Sequence, residues 1–156
     1  MKAASLNDIK KELTTLDQDV IQALCMRLAK YKKENKELLT YLLFEAHDER
    51  NFVASVKEEI DDLFQELPSN TYYLKKTLRK ILRHVNKQIK YSGIKETELE
   101  LRISFCVHVK EAKIPLKSSV QLLNLYQQQV KKIMTALSKL PEDLQADYQR
   151  EVDMIA

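Results

Sequence analysis

The residues with chemistry in reach are three histidines, two cysteines and the acids near them. The densest group is Glu45, His47, Asp48 and Glu49. A metal held on a helix needs ligands three or four residues apart, because only those share a face. Glu45 and His47 are two apart, and the chain has neither a Glu-x-x-His nor a His-x-x-x-His pair. The ferritin-like and metalloprotease patterns are therefore absent. The spacing predicts a polar helix end capped by Asp48, with no metal or other cofactor. His108 and Glu111 are three apart, which suits an ion pair or hydrogen bond better than a ligand set. His84 lies among the bases Arg83 and Lys87, which favour its neutral form and supply no catalytic partner.

Cys25 and Cys106 each sit in an apolar pattern, ALCMRL and SFCVHV. They are expected to be reduced core thiols, because neither has the electropositive setting of a nucleophile. A single glycine, Gly93, cannot build a phosphate-cradling loop. No serine stands in a His-and-acid order that would mark nucleophilic catalysis. The chain is expected not to be an enzyme. A helical enzyme or metal site near 45–49 is the weakest alternative.

What remains is basic. From 75 to 91 the chain reads KKTLRKILRHVNKQIKY, with no acid. At ~100° per residue, Leu74, Leu78, Ile81, Leu82, Val85 and Ile89 form one apolar stripe. Lys75, Lys76, Arg79, Lys80, Arg83, Lys87 and Lys90 fall on the opposite side, with Arg83 near the centre. A stripe of this kind can track phosphates or meet an acidic protein. No aromatic row is interleaved for base stacking. The segment before it, 45–66, carries eight acids against Arg50 and Lys57. A short LPSN connection makes the two helices antiparallel neighbours, so acidic and basic flanks are expected to meet. Each exposed pair would contribute roughly 0–1 kcal/mol.

The elements that position these residues are helices throughout. One Gly and three Pro in 156 residues leave no hairpin chemistry. Steps of three and four predict a helix over Leu6–Leu16, and a second after Asp17 or Asp19. Apolar residues lapse at KYKKENKE, where a turn is expected, and a third helix follows over 36–47. Asp48 caps a fourth and Asn70 a fifth, which ends at Gly93 in a left-handed residue. The sixth, 96–112, is apolar on two faces and should be the most buried. Ser118 or Ser119 caps a seventh, and Pro141 opens a last helix. The fold class is all-α: about eight helices in a single domain, 1–156. Its architecture is a compact bundle or a short armadillo- or HEAT-like superhelix. ELLTYLLFEAH (37–47) and ELELRISFCVH (98–108) match without gaps at five positions. Either Leu-rich helices match by chance, or 18–67 and 70–139 are divergent three-helix units between terminal caps.

The N-terminus lacks an apolar stretch of signal-peptide length. The run LLTYLLF at 38–44 is far short of the ~20 residues of a membrane span. A cytoplasmic protein without a membrane partner is expected. Together, LAKYKKENKELLTYLLFEAHDE (28–49) and LRKILRHVNKQIKYSG (78–93) resemble a family of uncharacterised all-helical bacterial proteins of about this length, of the kind found in Bacteroidetes. The resemblance implies a cytoplasmic bacterial protein and carries no activity onto any residue. The reading is a non-enzymatic helical protein–protein interaction module, a second copy included among its partners. Nucleic-acid binding through the basic helix 74–91 is the alternative.

Overall fold

The computed structural model describes Met1–Ala156 and contains eight α-helices, one π-helical turn and one 3-10 turn, with no strand. The all-α class is as the sequence indicated. The chain divides into two compact units, residues 1–44 and 45–156.

The C-terminal unit holds α4 (Glu49–Gln65), α5 (Thr71–Ser92), α6 (Lys95–Glu111), α7 (Val120–Leu137) and α8 (Glu142–Ile155). Local chemistry sets most of its boundaries. The Asp48 carboxylate accepts from the Asn51 amide at 3.1 Å and starts α4. The Asn70 side chain accepts from the Tyr72 and Tyr73 amides at 2.9 and 3.4 Å and starts α5. Ser119 does the same for α7. These caps satisfy amides that a helix start leaves without carbonyl partners. Gly93 ends α5 at φ 70, with its N–H donated to the Ile89 carbonyl at 2.9 Å. That left-handed conformation favours glycine.

All six residues of the α5 stripe are buried. Helix α6 is buried on more than one face: Leu99, Leu101, Ile103, Phe105, Cys106 and Val109 are buried, and the helix contacts α4, α5, α7 and α8. Phe64 of α4 meets Phe105 edge-on at 5.6 Å. Each fully buried Leu, Ile or Phe contributes about 1.5–3 kcal/mol relative to exposure, so this helix centres the unit's core.

The N-terminal unit holds α1 (Leu6–Leu13), α2 (Gln18–Tyr31) and α3 (Lys33–Thr40), with the start of the π turn Tyr41–Glu45. Helices α2 and α3 pack as a hairpin joined at Lys32, and Asn35 Nδ2 donates to the Leu28 carbonyl across the turn at 2.8 Å. The break is therefore one residue long and α3 begins at Lys33, not 36. Lys, Glu and Asn at 33–36 keep adequate helix propensity. The lapse of apolar residues marked the loss of a buried face, not of the helix. Tyr41 is the only buried residue of this unit.

The two segments matched in sequence differ in structure. Residues 98–108 lie inside α6, with Leu99, Ile103 and Phe105 buried. Residues 37–47 run from α3 through the π turn into a loop, with Leu38, Leu42 and Phe44 exposed.

Candidate functional site

Around 45–49, Asp48 and Glu49 have structural partners. Asp48 caps α4, and Glu49 accepts hydrogen bonds from Ser92 and Thr97, the latter at 2.7 Å. His47 is exposed. His108 Nε2 lies 3.2 Å from Asp61 of α4, not on Glu111, and its Nδ1 lies 2.7 Å from the Ser104 carbonyl. His84 does have an acidic partner: Nε2 is 2.7 Å from Glu59. Both imidazoles thus tie their helices to α4, a link invisible to spacing along one helix. A further polar cluster joins α4, α6 and α8. The Tyr148 hydroxyl lies 2.7 Å from Glu96 and 3.0 Å from Glu100, and Lys57 donates to Glu100 at 2.6 Å. Burial, then the hydrogen bonds to both carboxylates, push the Tyr148 hydroxyl well above the ordinary tyrosine range.

The basic face of α5 splits between two neighbours. On one side His84 meets α4 through Glu59. On the other, Arg79 and Arg83 line a groove of about 540 Å³ whose far wall is α7. Lys76, Arg79, Lys80, Arg83 and Lys90 are exposed, while Lys75 and Lys87 are half-buried. Lys75 donates to Gln121 of α7 at 3.1 Å. The expected meeting of flanks therefore does not reach Arg79 or Arg83, which have no carboxylate within 4.0 Å.

No wall residue of this groove is acidic. Helix α7 contributes Gln121, Asn124, Leu125, Gln128, Gln129 and Lys132; α5 adds Leu82 and Asn86. Beneath them lies Arg102 of α6, only 6% exposed. Its guanidinium bonds Glu98 through Nε and Nη2, both at 3.0 Å, and Nη1 donates to Asn86 Oδ1 at 3.0 Å and Gln129 Oε1 at 2.9 Å. Gln129 is 3% exposed, and no buried polar side-chain atom lacks a partner. With its oxygen on Arg102, Gln129 is left with its NH₂ as the group it can offer, and the residue lines the groove.

A second groove, of about 370 Å³, continues along α7 and shares Gln128 and Lys132 with the first. It adds Lys95, Lys131 and Lys139, with Glu98 as its one acid. Glu98 is engaged by Arg102 and by Lys95 at 3.5 Å. Of the seven α5 cations singled out in the sequence, Arg79 and Arg83 line this groove, and α7 as its opposite wall was not indicated. The available signal was the absence of any acid from 67–95 and from 112–141.

The N-terminal unit presents a different surface. Fourteen of the twenty exposed large apolar side chains of the chain lie in residues 1–44, among them Leu28 at 61% and Phe44 at 65% exposure. The hairpin also has an almost wholly apolar groove of about 200 Å³, lined by Cys25, Leu28 and Ala29 of α2 and by Leu38, Leu39 and Leu42 beyond the turn. The stripes predicted for α1, α2 and α3 exist, but they face solvent instead of a core.

Comparison with protein families, curated proteins and solved structures finds no match to the chain.

Proposed function

We propose that the chain is a non-enzymatic helical interaction module whose N-terminal unit docks onto a second copy of itself. The observation that carries this reading is the concentration of exposed apolar side chains in residues 1–44. Contiguous apolar surface of this kind marks interaction sites. A unit of residues 1–44 is also close to the size, about 40 residues, below which a core usually needs help from a metal, disulfides or oligomerisation.

A second copy is favoured by the pattern of α2. Ile21, Leu24, Leu28 and Tyr31 recur at the three–four–three spacing of a helix-pairing seam. The N-terminal end of α2 carries Asp17 and Asp19; its C-terminal end carries Arg27 and Lys30, followed by Lys32 and Lys33. A two-fold contact uses the same patch on both copies. Paired antiparallel, the acidic end of each helix meets the basic end of the other, and the helix dipoles oppose favourably as well. We place this module in the bacterial cytoplasm. That rests on the family resemblance, on the two free thiols and on the lack of any helix long and apolar enough to cross a membrane.

Sedimentation velocity of the full chain over a dilution series tests the reading. The unaltered chain is expected to form dimers or larger species that dissociate on dilution. Leu24→Glu with Leu28→Glu is expected to be monomeric with its helical circular dichroism retained. A monomer at every concentration overturns the reading.

A further inference from the structure

We propose that the continuous groove along α7, walled by α5 and the start of α6, binds the phosphate backbone of a nucleic acid. This does not rest on self-association, because every residue involved lies in the C-terminal unit.

Charge is the first support. Six cations line the two joined grooves: Arg79, Arg83, Lys95, Lys131, Lys132 and Lys139. The one acid, Glu98, is already held by Arg102 and Lys95. Helices α5 and α7 contain no acid at all, so Glu98 on the α6 wall is the one negative charge of the lining.

Preorganised donors are the second support. Arg102 occupies the oxygens of Asn86 and Gln129. An amide whose oxygen is engaged can offer only its NH₂ group elsewhere. Gln129, buried and lining the groove, is therefore held so that its NH₂ is the group it can offer. A buried cation beneath the floor thus turns amides that could donate or accept into donors. A site of cations and N–H groups selects an acceptor-only anion, and phosphate oxygens are that.

Shape chooses the polymer. The lining runs from Gln121 to Lys139, roughly 27 Å at the helical rise, which matches the axial length of about eight base pairs. Only Leu82 and Leu125 are large apolar residues in the main groove, and no aromatic side chain lines it. An acidic peptide would lack the buried anchors that carry most protein interfaces. Single-stranded bases would lack stacking platforms. Duplex backbone needs neither, so the site should be indifferent to sequence.

The test is fluorescence anisotropy of the full chain with labelled DNA and RNA duplexes, titrated across salt, with poly-glutamate as competitor. Binding is expected at ~50 mM salt, with log K falling linearly against log salt at a slope of about −4 to −5, for five or so phosphates. Lys132→Ala should reduce the slope by about one. The exposed triple variant Arg79→Glu, Arg83→Glu, Lys132→Glu should bind at least about tenfold more weakly with its thermal melt unchanged. No binding of either duplex at that salt, or undiminished binding by the triple variant, overturns the proposal. So does displacement of duplex by poly-glutamate at matched charge, which would assign the groove to an acidic protein.

Discussion

Arg102 carries a charge into the buried part of α6, where it is only 6% exposed. Such a group costs several kcal/mol to desolvate unless its donors are all met. Glu98, one turn earlier, supplies the countercharge, and Asn86 and Gln129 take the remaining face. The Glu98–Arg102 pair has the four-residue spacing legible in any helix. The two amides come from α5 and α7, so no local pattern points to them. Cys106, from the same helix, shows the opposite environment. Burial pushes its thiol from 9.0 up to about 12, against a smaller opposing pull from Arg102 and Lys110. The folded state holds this proton where the unfolded chain would release it. Its contribution to stability is therefore full below pH 9.0 and is lost as pH rises toward 12. The reactive species is the thiolate, so at mildly alkaline pH a chromogenic disulfide reagent is expected to label half-buried Cys25 in the native chain. Cys106 should react only after denaturation. Two rapid equivalents in the native chain would contradict this.

At the scale of the element, what could be read was what is local. Asp48, Asn70 and Ser119 each bond an amide two or three residues on, and Gly93 answers to its own backbone. Helix α3 starts at Lys33, ahead of the apolar residues from Leu38 on, because a helix can lose its apolar face without ending. The π turn at Tyr41–Glu45 has no sequence signature of its own. Gly93 allows a clean measurement. A Cβ placed there meets nothing within 4 Å, so any cost of Gly93→Ala comes from the left-handed backbone alone. That cost is about 1–2 kcal/mol. Differential scanning calorimetry should show a melting temperature lower by roughly 2–8 °C. An unchanged melt would mean that α5 ends equally well without the left-handed turn.

At the scale of the molecule, the two units differ in how they are held. The C-terminal unit has a core around α6; the N-terminal unit has one buried residue. Hydrogen exchange should follow that division, since opening energies track buried contacts. Amides of α6 are expected to exchange slowest. Those of α1–α3 should exchange fastest in dilute solution, and α2 should gain protection as concentration rises. Uniform protection across both units would count against the difference. The amphipathic stripes of α1–α3 were legible in sequence, but whether a stripe meets a core depends on what is opposite it. The groove followed the same logic: its α5 wall was read, while its α7 wall lies at the other end of a chain reversal.

Helix α6 touches each of the other four helices in its unit, yet it comes third among them in chain order. Chain growth from the ribosome delivers α4 and α5 first. Their apolar faces then have only each other until residues 95–111 emerge. Closure of the core thus waits on the middle of the segment, and α7 and α8 can dock only afterwards. A chain stopped before residue 95 would leave the α5 stripe, buried in the complete fold, open to water.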